Sequence, residues 1–464
     1  MKYNYKNKSD SKKFIHFSRK NIYDLVIIGS GPAGCTIAKE LSNKYKILLI
    51  EEGQNFNPNL IKRRMILSEK IKIKKESLVV ALGGASNTWG SGSSYFENFE
   101  MVDKKIKKNI WPITHNELLR LYKKISVKYN IKFPSNTKSY EKNSTIEREF
   151  LANSKIIKFE KLLNYEKIDV LFNVKVNQFY ENKNKVTCVI IEKKKKIKIE
   201  AKKLILCCGT LENIKIIHNS FKRKRKKINF DMLGKYFMNH PKLSIGKIKF
   251  PKPEVNFNKY IFSGKNSYTG ISLSQKNHNK NNLLNSFVRF SPIYKNIFKI
   301  NFFNKILHKL SRLIKSNLFL DGYKILAFLE MSPSIKNNVM INKKNQIIVD
   351  YDFSKTDIQT LIELQKEIYS EFSSNSNNET IIKINKNFII NKSIDASHHM
   401  GGTRYHPSSK SAFVDNNLKI IGLKNTYISS SSIFPTSGSA NPTATIIALS
   451  YRLSSYLKNI NFNN

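Results

Sequence analysis

Two histidines stand side by side, His398 and His399, within the segment HHMGGTRY, although the whole chain has only nine histidines. An imidazole group has an ordinary pKa close to neutral pH, so it suits a residue that accepts or donates a proton. Adjacent residues of an extended segment point to opposite sides. We therefore expect one histidine of the pair to face a reaction site and the other to serve the structure.

A helix is predicted to begin at Pro442, directly after Asn441. Asparagine is favoured at the N-cap and proline at the first helical position, and an apolar segment follows them. The side chain of Asn441 could cap this helix or project into a site. In both cases the helix N-terminus, which carries partial positive charge, would lie beside the loop of residues 430–440.

A dinucleotide site is predicted near the other end of the chain. Leu25–Ile28 is a continuous apolar run, which is typical of a buried parallel strand. Gly29, Gly31 and Gly34 follow it in the spacing G-x-G-x-x-G, which permits a tight turn, the approach of a pyrophosphate and close helix packing. A helix is expected next, and a second strand then ends at Glu51, where a carboxylate binds a ribose. Both FAD and NAD fit this segment.

The net charge of the chain is +47, from 81 Lys and Arg against 34 Asp and Glu. Such a charge attracts anionic partners, but the lysines are scattered, so we favour compositional drift. No recognisable module supports nucleic-acid binding. The four cysteines lie in apolar stretches without metal-ligand spacing. With neither a secretory signal nor an apolar span visible, we expect a cytoplasmic protein, soluble or peripheral at a membrane.

An amphipathic helix is predicted within residues 297–320. Its apolar positions fall on one face and its basic positions on the remainder. A helix that lies weakly on an anionic membrane surface would have this pattern, and so would a helix packed on its own domain, which we favour. The apolar positions are Phe303, Ile306, Leu307, Leu310, Leu313 and Ile314, and the basic ones are Lys305, Lys309, Arg312 and Lys315.

The length of 464 residues predicts more than one domain. We expect a basic tail at 1–21, a nucleotide-binding domain formed by 22–241 and 393–464, and an inserted substrate domain at 242–392. The inserted part has few glycines and mixes strand-like with helix-like segments. The last part, 393–464, would carry the residues of the reaction site.

Eight motifs follow one another between Tyr23 and Leu457: GSGPAG, GGASNTWG, WPIT, LCCGTLEN, GKYFMNHP, HHMGGTRY, VDNNLKIIG and SSIFPTSGSANPTATIIA. In these motifs and their order the chain resembles the glucose–methanol–choline (GMC) family of FAD-dependent oxidoreductases. The resemblance implies an α/β fold with a Rossmann-like FAD-binding domain. It also implies an inserted substrate domain built on an antiparallel sheet flanked by helices, and oxidation of an alcohol group.

The resemblance also implies roles for single residues. His399 matches the family pattern H-x-x-G-T and is expected to accept the alcohol proton, while Asn441 is expected to orient the hydroxyl. His398, His240 and His406 are then interpreted as structural, turn and loop residues. Thr88 stands where some relatives carry a histidine that links FAD, so FAD is expected to bind without a covalent bond. The residues expected to bind FAD are Gly29, Ser30, Gly31, Pro32, Ala33, Gly34, Glu51, Gly83, Gly84, Ser86, Asn87, Thr88, Trp89, Val176, Gly209, Ser430, Ser431, Asn441, Pro442 and Thr443.

Ser430 departs from the family, in which many members carry Asp at that position. The substrate is expected to be a small alcohol or sugar, or a hydroxyl of a glycan, and the electron acceptor stays unassigned. Two alternatives remain open: a flavin-containing lyase that uses the same scaffold without redox chemistry, and a non-catalytic protein that binds membranes or polyanions. The presence of both His399 and Asn441 argues against the non-catalytic alternative.

Overall fold

The computed structural model describes residues 23–462, apart from 55–61, 64–65, 75–76, 89, 91, 105, 135–143, 153–156, 165, 183–184, 193–194, 262–266, 297–300, 314–319, 376–378, 380 and 461. The basic tail expected at 1–21 therefore lies outside the described residues. Within them, no helix combines the length and the apolar character that crossing a membrane requires.

The described residues form eight α-helices: α1 (Pro32–Leu41), α2 (His115–Tyr129), α3 (Gly209–Phe221), α4 (Gln275–Asn281), α5 (Asn301–Leu313), α6 (Lys355–Phe372), α7 (Lys386–Lys392) and α8 (Pro442–Asn459). They also form the strands β1 (Tyr23–Ile28), β2 (Ile47–Ile50), β3 (Lys62–Arg63), β4 (Leu67–Ser68), β5 (Val79–Val80), β6 (Gly92–Ser93), β7 (Val102–Asp103), β8 (Lys108–Asn109), β9 (Thr145–Ala152), β10 (Ile168–Leu171), β11 (Lys175–Glu181), β12 (Val186–Glu192), β13 (Lys195–Leu206), β14 (Lys242–Ile248), β15 (Ser267–Leu273), β16 (Phe287–Tyr294), β17 (Leu320–Phe328), β18 (Asn338–Ile341), β19 (Ile347–Asp350) and β20 (Thr426–Ile428).

A seven-stranded sheet contains the predicted nucleotide-binding unit. Its order is β10-β2-β1-β13-β12-β11, with β20 also joined to β13. β1 pairs in parallel with β2 and β13, and Leu25–Ile28 is at most 4% exposed, which explains an apolar run without alternation. Helix α1 begins at Pro32, because proline is well suited to the first helical position.

A six-stranded antiparallel sheet, in the order β14-β17-β16-β15-β9-β6, forms the second layer. The antiparallel sheet predicted for the substrate domain is therefore present. However, β6 and β9 precede residue 242, and β9 pairs with β15 along its whole length. The expected boundary at 242 needs correction, because strand pairing joins segments that are far apart in the sequence.

The two faces of the six-stranded sheet have different environments. Leu243, Ile245 and Ile325 are fully buried on the face that packs against α6. The opposite face carries Lys242, Arg289 and Tyr268, whose positions alternate with those of the buried residues, as the cross-strand register shows. Tyr268 lies against Gly92, which lines a cavity of about 700 Å³, so this second face is turned toward that cavity.

Candidate active site

A cavity of about 700 Å³ lies at the carboxyl ends of β1 and β13. Parallel sheets place ligands at this edge, because the loops that follow the strands meet there. The cavity joins segments that are far apart in the chain, from the turn after β1 to the start of α8. The predicted site residues that line it are Gly29, Ser30, Gly31, Pro32, Ala33, Glu51, Gly84, Ser86, Thr88, Val176, Gly209, His399, Ser430, Ser431, Asn441, Pro442 and Thr443.

Three predicted FAD-binding residues do not line the cavity and instead support its walls. Gly34 packs on the carbonyl of Gly29, to which an added Cβ would come within 1.9 Å. The amide nitrogen of Asn87 donates to the carbonyl oxygens of Leu82 and Gly84 at 2.7 and 3.0 Å. The amide of Gly83 donates to the carbonyl of Ser30 at 3.2 Å. Trp89 lies outside the described residues.

Gly31 is the glycine of this turn that faces free space. A Cβ added to Gly31 would meet nothing within 4 Å, whereas one added to Gly29 would come within 2.7 Å of the Cys207 carbonyl oxygen. The packing of the protein itself therefore requires Gly29 and Gly34 but not Gly31. Gly31 leaves room at the N-terminus of α1, where free amide groups favour an anion such as a pyrophosphate.

Glu51 lies at the end of β2, in the wall of the cavity. Its carboxylate accepts hydrogen bonds from the amide and hydroxyl of Ser30, at 3.0 and 2.7 Å, and from the amide of Gly53 at 2.8 Å. Two carboxylate oxygens offer about four acceptor positions, so capacity remains for the hydroxyl pair of a ribose. Gly31, Glu51 and the N-terminus of α1 therefore fit the diphosphate and ribose of FAD.

Asn441 precedes α8 but does not cap it with its side chain. Its Nδ2 donates to the carbonyl oxygen of Gly92 at 2.7 Å, and the same side chain hydrogen-bonds the hydroxyl of Tyr268. Asn441 thus joins the start of α8 to Gly92 and to Tyr268 of the six-stranded sheet. With no acidic residue in the first turn of α8, the positive end of this helix is available to a ligand in the cavity.

The two adjacent histidines both line the cavity, and their side chains diverge. The ring of His399 lies 5.7 Å from that of Phe237, and its Nε2 is 3.3 Å from Oδ1 of Asp395. His399 is 7% exposed, and its carbonyl oxygen accepts from Thr210 and Ser431. The ring of His399 is therefore enclosed beside Phe237 and Asp395, and among the described residues its Nε2 has no hydrogen-bond partner.

Asp395, whose Oδ1 lies 3.3 Å from Nε2 of His399, accepts hydrogen bonds from several other groups. It accepts hydrogen bonds from the amide nitrogen of Asn239, the hydroxyl of Ser77 and the backbone of Lys74. Burial by itself would raise the pKa of this carboxyl, but contacts with His399, Ser77 and Asn239 hold the pKa below its ordinary value. Asp395 is therefore charged at neutral pH and anchors the segment that carries both histidines.

His398 takes the opposite direction and meets His240. The two Nδ1 atoms are 3.1 Å apart, and the rings cross at 88°. Burial lowers the pKa of His398 to about 3, and His240 acts in the same direction. Burial also lowers the pKa of His240 to about 4, against the backbone of Gly438 and Ser437, which raises it. Both rings are neutral at neutral pH, so one Nδ1 donates to the other.

The sequence interpretation of His240 as a turn residue did not include its contact with His398. The segment GKYFMNHP marked the position, but only the fold brings His240 to His398. Lys242 follows two residues later on the same side of an extended segment. Burial lowers the pKa of Lys242, and the like charges of Lys74 and Arg289 act in the same direction. Lys242 therefore places positive charge near His398, and Lys74 contributes a cation to the lining of the cavity.

A Rossmann-like nucleotide-binding domain that carries an antiparallel-sheet domain defines the class of this protein. Residues 333–450 match the family model of the GMC oxidoreductases. Two solved structures share the fold: pyridoxine 4-oxidase from Mesorbium loti, with TM-score 0.58 and 14% identity over 95% of this chain and 100% of that one, and a variant of Aspergillus oryzae RIB40 formate oxidase, with TM-score 0.59 and 13% identity over 95% and 98%.

Two curated proteins match shorter segments. An uncharacterised protein of Methanocaldococcus jannaschii is 37% identical over 92 residues, 19% of this chain and 22% of that protein. A sinalpyl alcohol oxidase of Nesocodon mauritianus is 32% identical over 63 residues, 13% of this chain and 11% of that enzyme. The similarity to the GMC oxidoreductases thus rests on residues 333–450 for the sequence and on the two solved structures for the fold of the whole chain.

Proposed function

We propose that this protein binds FAD without a covalent bond and oxidises the alcohol group of a small molecule, with a sugar or glycan-related hydroxyl as the favoured substrate. The observation that carries the proposal is one cavity that joins the glycine-rich turn at Gly31 to His398 and Asn441. A dinucleotide-binding motif and a proton acceptor that share one cavity are explained together if a bound cofactor reacts beside that acceptor. Lys74 in the lining of the cavity and Lys242 near His398 favour substrates that also carry an acidic group.

Bound FAD would supply the hydride acceptor, the N5 atom of its flavin ring. The protein has to remove the hydroxyl proton of the substrate, orient that hydroxyl and tolerate the negative charge that develops. Asn441 can orient the hydroxyl with its side-chain amide, and the N-terminus of α8 favours negative charge in the cavity. The histidine pair, Asn441 and the N-terminus of α8 all border the same cavity, as these roles require.

For the proton acceptor we propose His398 in place of His399, the residue that the sequence pattern favours. The ring of His399 is directed to Asp395 and Phe237, while His398 is the half-buried member of the pair and meets His240. Of the two Nδ1 atoms in contact, we take that of His240 as the acceptor. His398 then donates from Nδ1, which leaves Nε2 of His398 free to accept the alcohol proton.

The test of the proposed function is anaerobic mixing of the yellow holoprotein with a panel of sugars, acidic sugars, polyols and simple alcohols. We expect at least one class of alcohol to remove the oxidised-flavin absorption, because hydride transfer reduces the flavin. Reduction by dithionite serves as the positive control for full bleaching. Cleavage of a cyanohydrin with no bleaching by any alcohol would favour the lyase alternative, and protein purified without flavin would favour the non-catalytic one.

Non-covalent binding gives a separate prediction. Thr88 lines the cavity in the 3-10 helix Gly84–Thr88, and its hydroxyl donates to the carbonyl of Ala85 at 3.1 Å. A threonine hydroxyl lacks the nucleophilic nitrogen of a linking histidine. We expect acid precipitation of the holoprotein to release all flavin into the supernatant, where chromatography identifies it as FAD. Flavin fluorescence that stays on washed, proteolysed peptides would contradict this prediction and would identify the linking residue.

A further inference from the structure

Helix α5 exposes an unusual number of large apolar side chains. Twelve such side chains are exposed in the described part of the chain, and four of them lie on this 13-residue helix. Phe302, Phe303, Ile306 and Leu310 are 64%, 50%, 43% and 52% exposed. Packing against the protein, the alternative favoured by the sequence pattern, therefore does not cover this side of α5.

The exposed side chains of α5 form one continuous stripe. A helix advances about 100° per residue, so Phe302, Ile306, Leu310 and Phe303 fall within an arc of about 100°. Asn304 is 2% exposed and lies on the opposite side, which marks the side by which α5 contacts its own domain. The apolar stripe is thus directed away from the protein.

Basic positions border the stripe on one side. Lys309 is exposed, and its position adjoins that of Phe302 on the helix surface. Lys305 and Arg312 occupy neighbouring positions farther around the same side. In addition, the chain has no acidic residue between Glu254 and Asp321, while this segment holds eleven Lys and Arg. On α5 and the chain segments that flank it, a partner therefore meets basic and no acidic residues.

We propose that α5 docks on the surface of an anionic lipid bilayer, with its apolar stripe in the interface and its basic border against the lipid headgroups. A bilayer surface provides both an apolar layer and negative charge to such a helix. A second copy of the chain fits less well, because a two-fold interface would place the same basic segment against itself. This inference is independent of the proposed reaction, since it rests on no residue of the cavity.

The experiment is sedimentation of the holoprotein with vesicles of phosphatidylcholine, with and without phosphatidylglycerol. We expect binding to the anionic vesicles only, and weaker binding as added salt screens the charges. Lys309→Glu should lower the partition coefficient about tenfold or more, because it replaces a positive charge near the anionic surface by a negative one. Ile306→Ser with Leu310→Ser should lower it by at least the same factor, because these side chains are buried in the interface.

The matched controls are Lys123→Glu and Val127→Ser, exposed residues on α2 that should leave vesicle binding unchanged. Leu310→Trp gives a direct readout, since brominated lipids should quench its fluorescence if α5 enters the interface. Equal binding to neutral vesicles, no binding at low salt, or equal losses in the α2 controls would each overturn the proposal. A dimer in sedimentation velocity that Ile306→Ser with Leu310→Ser dissociates, without vesicle binding, would identify a second copy as the partner.

Discussion

His398→Ala is expected to retain FAD and to slow reduction of the flavin by the substrate about 10²- to 10⁴-fold, the contribution typical of a positioned general base. The physical reason is the pair of opposed side chains: His398 meets His240 at 3.1 Å, while the ring of His399 is held beside Asp395. Removing His398 takes the proton acceptor away without touching the turn at Gly31. The measurement is rapid mixing under anaerobic conditions, with flavin content determined beforehand.

His399→Ala is the matched control, because it removes the neighbouring imidazole from the same segment. We expect the reduction rate to stay within about tenfold of the original. The free energy of unfolding should fall by about 1–3 kcal/mol, since the buried carboxylate of Asp395 loses one of its partners. If His399→Ala abolishes reduction and His398→Ala does not, His399 is the base and the H-x-x-G-T assignment from the sequence holds.

The pH dependence of the same reaction gives a second readout. A base acts in its neutral form, and the pKa of His398 is lowered to about 3, so that form dominates at every higher pH. We therefore expect the rate of flavin reduction to be flat between about pH 5 and pH 8, without the decline near pH 6.5 of an ordinary histidine. His240→Ala should raise the pKa of His398, because the ring of His240 contributes to lowering that pKa.

The local parts of the fold could be predicted because their signals lie within a few residues. The apolar run at Leu25–Ile28 lies in β1, and Pro442, which follows Asn441, is the first residue of α8. The strands β12 and β13 likewise pair with their neighbour along the chain, with Glu192 opposite Lys195. In each case the residues that determine the element are the residues that form it.

The parts that could not be predicted depend on distant partners. No local pattern in β9 indicates that it pairs with β15, more than a hundred residues later. Likewise, alternation along an extended segment shows that His398 and His399 diverge, but not which of them faces the substrate. That choice depends on a backbone bridge between Met400 and Met238, which sets the segment beside His240 and Asn239. His240 could have been found only by asking what the histidine in GKYFMNHP contacts.

Gly31→Val is expected to weaken FAD binding about 100-fold or more and to yield colourless but folded protein. The φ and ψ of Gly31, −67° and −173°, are accessible to valine, and the space beside it holds no protein atom within 4 Å. The substitution therefore costs the protein itself little. Its side chain would occupy the place where a pyrophosphate approaches the N-terminus of α1, and overpacking of such a contact is strongly unfavourable.

The control for Gly31→Val is a substitution of Gly34, three residues later in the chain. Gly34→Ala adds only one methyl group, but that group would come within 1.9 Å of the Gly29 carbonyl oxygen, so α1 and the turn cannot keep their positions. We expect Gly34→Ala to lower the melting temperature of the FAD-free protein, and Gly31→Val to leave it unchanged. Circular dichroism measures stability in both variants, and titration with FAD measures affinity. Full flavin content in Gly31→Val would mean that the glycine-rich turn does not hold the diphosphate, whatever the stability of the fold.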